Sequence, residues 1–255
     1  LLFDCPPSEI GYAAIGNLQR GKFADRAHVA MNFFSECGTF LRESRRHFRA
    51  TGAVLPSSRF LARALAAPLS GTRKPRYILE VGPGTGSVTK EILKRLIPGD
   101  RLDAVELNEH FVQRIRLLLQ HDPRFIPHRD RVRVFHSPVE MLAGEAVYDH
   151  IISGLPLNNF PVALVREIFR AYMRLLKPGG TLSYFEYSLI RQIKSPFVGR
   201  VERRRLYRVG RIVNGYIRSY QVRRQQVLMN VPPAIVRHLH LKPAISAAIA
   251  ATVAG

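Results

Sequence analysis

The sequence predicts an α/β fold in which a parallel sheet carries helices on both faces. Three observations predict it. Short β-branched runs alternate with helical patterns across residues 76–190. A glycine-rich turn, Gly82-Pro83-Gly84-Thr85-Gly86, joins the first strand to the first helix of that series. An acid, Glu106, closes the second strand twenty residues beyond Gly86.

Each element follows from its local pattern. Residues 77–81 form the first strand, and 88–96 form the helix after the glycine turn. A strand over 102–107 leads into a helix over 110–120, and strands follow over 132–135 and 150–153. Residues 162–176 are helical, stopped by Pro178-Gly179-Gly180, and 181–187 make the fifth strand. A helix over 199–217 sets Val201, Val209, Ile212, Val213 and Tyr216 on one side, with Arg200, Arg203, Arg204, Arg208 and Arg211 on the other. Residues 225–230 and 234–241, around Pro232-Pro233, read as two closing strands.

Upstream of this core the pattern differs. Residues 1–27 hold turn formers without periodicity, and from His28 a helical pattern emerges. It places Phe33, Phe34, Phe40, Leu41 and Phe48 with Arg42, Arg45, Arg46 and Arg49, the composition of an interfacial helix. Ser57-Ser58 is the expected cap of a second helix running through Leu65 to Pro68. The expected organisation is therefore an irregular segment over 1–27, amphipathic helices over 28–70, the α/β core over 71–241 and a tail over 242–255.

The 255 residues suit one compact domain with appendages. Lys and Arg total 39 against 19 Asp and Glu, a net charge of +20, which favours a polyanionic partner: nucleic acid or an anionic membrane surface. The stretch 191–242 alone holds 13 Lys plus Arg and one acid, Glu202. Two cysteines, Cys5 and Cys37, are too few for a disulfide framework or a zinc site, so a reducing compartment and no metal are expected. No apolar run reaches 18 residues, and no basic segment precedes an apolar one at the start, so neither a spanning helix nor a signal peptide is expected.

Glycines at the turn let a ligand approach the backbone, and an acid at the end of the second strand suits the two hydroxyls of a ribose. Dinucleotides and adenosyl sulfonium cofactors both use this arrangement. Glu80, just before the turn, would repel a pyrophosphate and suits a cationic sulfonium and amino group. The pattern Glu80 to Gly86 resembles motif I of the class I S-adenosylmethionine-dependent methyltransferases. The resemblance implies a Rossmann-like seven-stranded fold, S-adenosylmethionine as cofactor and S-adenosylhomocysteine as product. It implies cofactor contacts from Glu80, Gly82, Pro83, Gly84, Thr85, Gly86, Glu106 and Leu107. Asp149 to Leu157 stands where these enzymes place the loop after strand four, and Leu176-Lys177-Pro178-Gly179-Gly180 resembles their approach to strand five. One departure is the stretch His136-Ser137-Pro138-Val139-Glu140, where Glu140 is the nearest acid for the adenine contact and backbone amides are the alternative. His136 and His150, each without a partner motif, are expected to pack or be solvated rather than catalyse.

Methyl transfer from a sulfonium needs a desolvated, aimed lone pair. Enzymes that methylate a base amine carry an Asn or Asp and an aromatic residue in the loop after strand four. Here that loop reads Gly154-Leu155-Pro156-Leu157, which disfavours a nucleobase and leaves an aliphatic amine. Residues 52–63, the Gly154 loop and Asn230-Val231-Pro232-Pro233-Ala234 together resemble the bacterial phospholipid N-methyltransferases, which act on phosphatidylethanolamine or ornithine lipid. The Gly154 or Leu155 carbonyl, Asn158 and Tyr187 are the candidate groups around the amine, Tyr187 through a cation–π contact that matches a family tyrosine. The expected setting is the cytoplasmic face of a bacterial membrane, with the 28–50 helix and the arginines touching anionic lipid. The alternatives are an RNA methyltransferase, favoured by the charge, and a catalytically silent binding module.

Overall fold

A computed structural model describes residues 57–71, 74–157, 160–187 and 200–241. Within them lies a seven-stranded sheet of order β3-β2-β1-β4-β5-β7-β6. In chain order the elements are α1 (Arg59–Leu65), β1 (Tyr77–Val81), α2 (Ser87–Leu93), β2 (Arg101–Glu106), α3 (Glu109–His121) and β3 (Val132–His136). They continue with β4 (Tyr148–Ser153), α4 (Val162–Leu175), β5 (Leu176–Tyr187), α5 (Arg200–Tyr220), β6 (Gln221–Val227) and β7 (Ala234–His240). Phe33, Phe34, Phe40, Leu41, Arg42, Arg45, Arg46, Phe48, Arg49 and Asn158, for which the sequence sets expectations, lie outside the described residues.

β1 through β5 run parallel, and β7 enters antiparallel against β5 and pairs antiparallel with β6. The strands of the alternating stretch 76–190 are parallel as that alternation predicts, and the closing pair β6 and β7 makes the whole sheet mixed. The reason is local: six residues join β6 to β7, enough for a hairpin and too few for a parallel crossover.

Alternation along the strands divides the core. Ile78, Leu102, Ile152, Phe185 and Val236 join Leu61 and Leu65 of α1, Val88 and Ile92 of α2, and Ile115 and Leu119 of α3 in one buried cluster. On α4, Leu164, Val165, Ile168, Phe169, Tyr172 and Leu175 form one buried stripe, and Val209 and Val213 of α5 are also buried. Each such side chain contributes about 1.5–3 kcal/mol by leaving water. Helix α1 begins as the sequence predicts, with Ser58 Oγ accepting from the Leu61 amide at 3.2 Å.

Several boundaries differ from the sequence reading: α2 ends at Leu93 rather than 96, β4 starts at Tyr148 rather than 150, and α5 runs to Tyr220 rather than 217. β5 starts at Leu176, before the Pro-Gly-Gly stretch, because that stretch is held to the end of β7: the Gly179 amide donates to Leu241 O at 2.8 Å, and the Leu241 amide donates to Gly180 O at 2.9 Å. β6 spans Gln221–Val227 rather than 225–230, and its exposed Arg223 and Arg224 hide the strand from a hydropathy pattern.

Polar groups at the amino end of the parallel strands are paired. The buried Arg76 and Asp100 form an ion pair at 2.6 Å. Buried Asp103 accepts from the Tyr77 and Tyr148 hydroxyls at 2.9 and 2.8 Å and from Arg133 Nε at 2.9 Å. At the carboxyl end the situation is different.

Candidate functional site

The sheet order reverses at β1, whose neighbours are β2 and β4, and a crevice at the carboxyl ends of such strands is where open α/β sheets bind ligands. Two segments meet there. The glycine turn leaves β1, tied by the Gly82 amide donating to Val105 O at 2.9 Å. The loop after β4 is tied to the same strand by the Gly154 amide donating to Val81 O at 2.8 Å.

Close approach of these two backbones explains both glycines. Gly82 has φ +73°, and a Cβ there would stand 2.6 Å from Leu155 Cδ2. A Cβ at Gly154 would stand 2.7 Å from Gly82 O, a backbone atom that cannot swing aside. Gly84 and Gly86 also have positive φ, and Gly86 leads directly into α2. Thr85 Oγ1 lies 3.3 Å from Ser87 Oγ, and the Thr85 carbonyl accepts from Arg114 Nε at 3.4 Å.

Two carboxyls belong to this region, Glu106 at the end of β2 and Glu80 near the end of β1. Glu106 is nearly buried; its Oε2 accepts from the Gly84 amide at 3.1 Å and its Oε1 from the Asn108 amide at 2.9 Å. It is therefore a positioned acceptor at the carboxyl end of β2. Glu80 is fully buried, and neither oxygen has a hydrogen-bond partner among the described residues. Burial pushes its carboxyl up to about 8, against the pull of the adjacent Thr89, and the charge of Glu106 adds to the rise. A fully buried carboxyl whose oxygens make no hydrogen bond among the described residues, two positions before a turn with glycine at 82, 84 and 86, suits a site that a cation completes.

Beyond β2 and β3, the Ser137 amide donates to Glu106 O at 3.2 Å, and His136 Nε2 lies 3.1 Å from the Leu107 carbonyl. These contacts hold Leu107 and the 136–138 segment side by side. Glu140 sits in a short 3-10 turn, Val139–Met141, where burial raises its pKa and the neighbouring Glu167 of α4 adds to the rise. His150 is half-buried and pushed down to about 4, chiefly by burial and then by Arg76, so it is a neutral packing residue near neutral pH.

The loop after β4 is braced by residues that the sequence reading does not single out. The buried Tyr172 hydroxyl donates to Ser153 Oγ at 2.8 Å, and Ser153 Oγ in turn accepts from the Leu155 amide at 3.3 Å. Tyr172 sits at helical spacing among core residues, and no motif marks it. The Leu155 carbonyl accepts from the Leu157 amide at 3.0 Å, whereas the Gly154 carbonyl accepts nothing from the described residues. Leu157 is fully buried.

Tyr187 ends the described part of β5. Ser183 pairs with Ile152, so Tyr187 extends three residues past the level of Ser153, about 10 Å at strand rise. It packs edge-on against Phe185 at 5.1 Å between centroids, and burial raises its pKa. Opposite it stands Ala234, the first residue of β7. Asn230, just before β7, is buried and accepts from the Ser58 amide at 3.0 Å, which ties the 230–234 motif to the cap of α1.

A family model described as a methyltransferase domain matches residues 78–180. An ornithine lipid N-methyltransferase from Singulisphaera acidiphila is 30% identical over 152 residues, 60% of this chain and 76% of that protein. Among solved structures, the 1,6-didemethyltoxoflavin-N1-methyltransferase of Burkholderia thailandensis, with bound 1,6-didemethyltoxoflavin and S-adenosylhomocysteine, has a TM-score of 0.54 at 20% identity; the match covers 82% of this chain and 90% of that one. An O-methyltransferase from Bacillus cereus gives 0.51 at 17% identity, covering 79% and 90%.

The chain belongs to the class I S-adenosylmethionine-dependent methyltransferases. Within that class it resembles the bacterial phospholipid N-methyltransferases, the Singulisphaera ornithine lipid enzyme being the relative that carries the likeness. S-adenosylmethionine is the cofactor of the class, and the residues present fit it: the buried Glu80 carboxyl, with no hydrogen bond among the described residues, suits its positive charge, and the glycines at 82, 84 and 86 give the turn beside it positive φ angles.

Proposed function

We propose that this methyltransferase acts on the amine of a membrane aminolipid headgroup, ornithine lipid or phosphatidylethanolamine, at the membrane surface. The similarity to the ornithine lipid enzyme carries this reading. The geometry at Gly154 supports it, because an Asn or Asp there, as base-methylating enzymes use, would drive its Cβ into the Gly82 carbonyl. An alkyl amine needs neither that side chain nor a stacking ring.

When bound, S-adenosylmethionine supplies an electrophilic methyl group. Glu80 balances its positive charge, Glu106 takes the ribose hydroxyls, and Gly82, Pro83, Gly84, Thr85 and Gly86 wrap its amino-acid end. Leu107 flanks the adenine, with the 136–140 segment, including Glu140, on the same side. Leu155 and Leu157 exclude water from the amine, which favours its neutral, nucleophilic form. The Gly154 carbonyl orients the amine N–H, Asn158 assists, and the Tyr187 ring faces the methylated cation, a contact worth roughly 0.5–2 kcal/mol. Membrane attachment is peripheral, through the 28–50 segment and anionic lipid, and no helix among the described residues is long and apolar enough to cross a membrane.

The +20 charge favours a second substrate class, RNA. Incubating the protein with radiolabelled S-adenosylmethionine and either total bacterial lipid or total RNA separates the two. Label in an aminolipid band is the expected result; label in RNA alone rejects the lipid reading.

A further inference from the structure

The connection between β6 and β7 has an unusual surface. Leu228, Met229 and Val231 are 72, 69 and 66% exposed, so three large apolar side chains crowd into four consecutive positions. The other exposed apolar residues among those described, such as Leu117, Ile126 and Met141, stand singly and need no explanation. Asn230, between them, points the opposite way. It is buried, accepts from the Ser58 amide, and its Nδ2 donates to Pro232 O at 2.8 Å. The turn is therefore anchored from within while its neighbours are held out in water, at a cost that a purely structural turn would avoid.

Position matters as much as composition. Ala234 pairs with both Tyr187 and Val227, so residues 228–233 project beyond the carboxyl edge of the sheet, the edge that carries the candidate site. Arg223 and Arg224 are exposed on β6, about 13–16 Å behind Leu228 at strand rise. Helix α5 runs into β6 with no residue between, contacts both β6 and β7, and carries exposed Arg204, Tyr207, Arg208 and Arg211. An apolar tip backed by cations matches the layering of an anionic bilayer, acyl chains first and phosphates behind.

We propose that the β6–β7 tip is a lipid-docking element that inserts Leu228, Met229 and Val231 into the acyl boundary and sets the mouth of the site against the membrane. The choice of a bilayer rests on the aminolipid reading above; the apolar tip beside the site edge stands on its own geometry. A nucleic acid offers the arginines phosphates, but the tip carries no aromatic ring on which an unpaired base would stack, and three aliphatic side chains fit acyl chains better.

The protein has no tryptophan, so Met229→Trp places a single reporter at the tip of the full chain. With phosphatidylglycerol vesicles containing aminolipid, its emission should shift to the blue and be quenched by lipids brominated in the acyl chain. The triple variant Leu228→Asp, Met229→Asp, Val231→Asp should lose vesicle binding by about tenfold or more. Its affinity for S-adenosylhomocysteine should be unchanged, which verifies that it folds. Unaltered emission of Met229→Trp in vesicles whose aminolipid the protein methylates overturns the docking surface and leaves the substrate intact. A blue shift without lipid methylation rejects the substrate and supports the docking surface. A shift with RNA but not with vesicles also overturns the proposal.

Discussion

Replacing Glu80 by Gln removes a titration whose size follows from the structure. With burial holding the carboxyl at about 8, only about one free molecule in ten carries the charge at pH 7. A sulfonium and ammonium beside the turn favour the ionised form, so binding expels a proton. Apparent affinity for S-adenosylmethionine then rises about 50-fold from pH 6 to pH 8 and flattens above. The cofactor's own amino group titrates too, but equally for both proteins, so the difference between wild type and Glu80→Gln isolates this carboxyl. Calorimetric titration in two buffers of different ionisation enthalpy counts the protons. Wild type should release nearly one more than the variant at pH 7. The same shift bears on stability. The folded pKa lies above the ordinary 4.5, so the folded state keeps a proton that the unfolded chain loses. That contribution is complete below about pH 4.5 and gone above about pH 8, falling by about 1.4 kcal/mol per pH unit between. Without cofactor, Glu80→Gln should therefore gain in Tm over wild type as the pH rises. Parallel affinity and melting profiles for the two proteins would refute the reasoning.

Two further outcomes follow from the same crevice. Glu106→Ala should weaken cofactor binding about 10- to 100-fold through lost charge-assisted hydrogen bonds, read by equilibrium dialysis with labelled S-adenosylhomocysteine. Gly154→Ala puts a methyl group 2.7 Å from the Gly82 carbonyl, so the loop must shift; stability should fall by about 1–3 kcal/mol in urea titration, and kcat should fall more than cofactor affinity.

The sequence made the carboxyl edge of the sheet legible because its residues have few alternatives. Glycines at positive φ, an acid at the end of β2 and β-branched runs for buried parallel strands are constraints that leave marks at fixed spacing. The strand β6 escaped in part, since an edge strand rich in Arg and Gln lacks the alternation that marks a half-buried one. The brace from Tyr172 through Ser153 to the Leu155 amide escaped wholly. It depends on a helix docking across the sheet, and nothing at the level of spacing distinguishes that tyrosine from its core neighbours. The unmade hydrogen bonds of Glu80 are equally invisible in one dimension, because the same letter before a glycine turn serves whether or not the fold brings its oxygens into hydrogen-bond range of a donor.

The outermost strand has a further consequence for life in a crowded cell. Among the described residues β6 is the outermost strand of the sheet, and an edge strand is the kind of margin onto which a second molecule could stack. Arg223 and Arg224 occupy adjacent places on it, so one projects from each side. Two molecules meeting margin to margin would bring guanidinium groups together above and below the new ladder. That repulsion would oppose such edge-to-edge pairing of neighbouring copies.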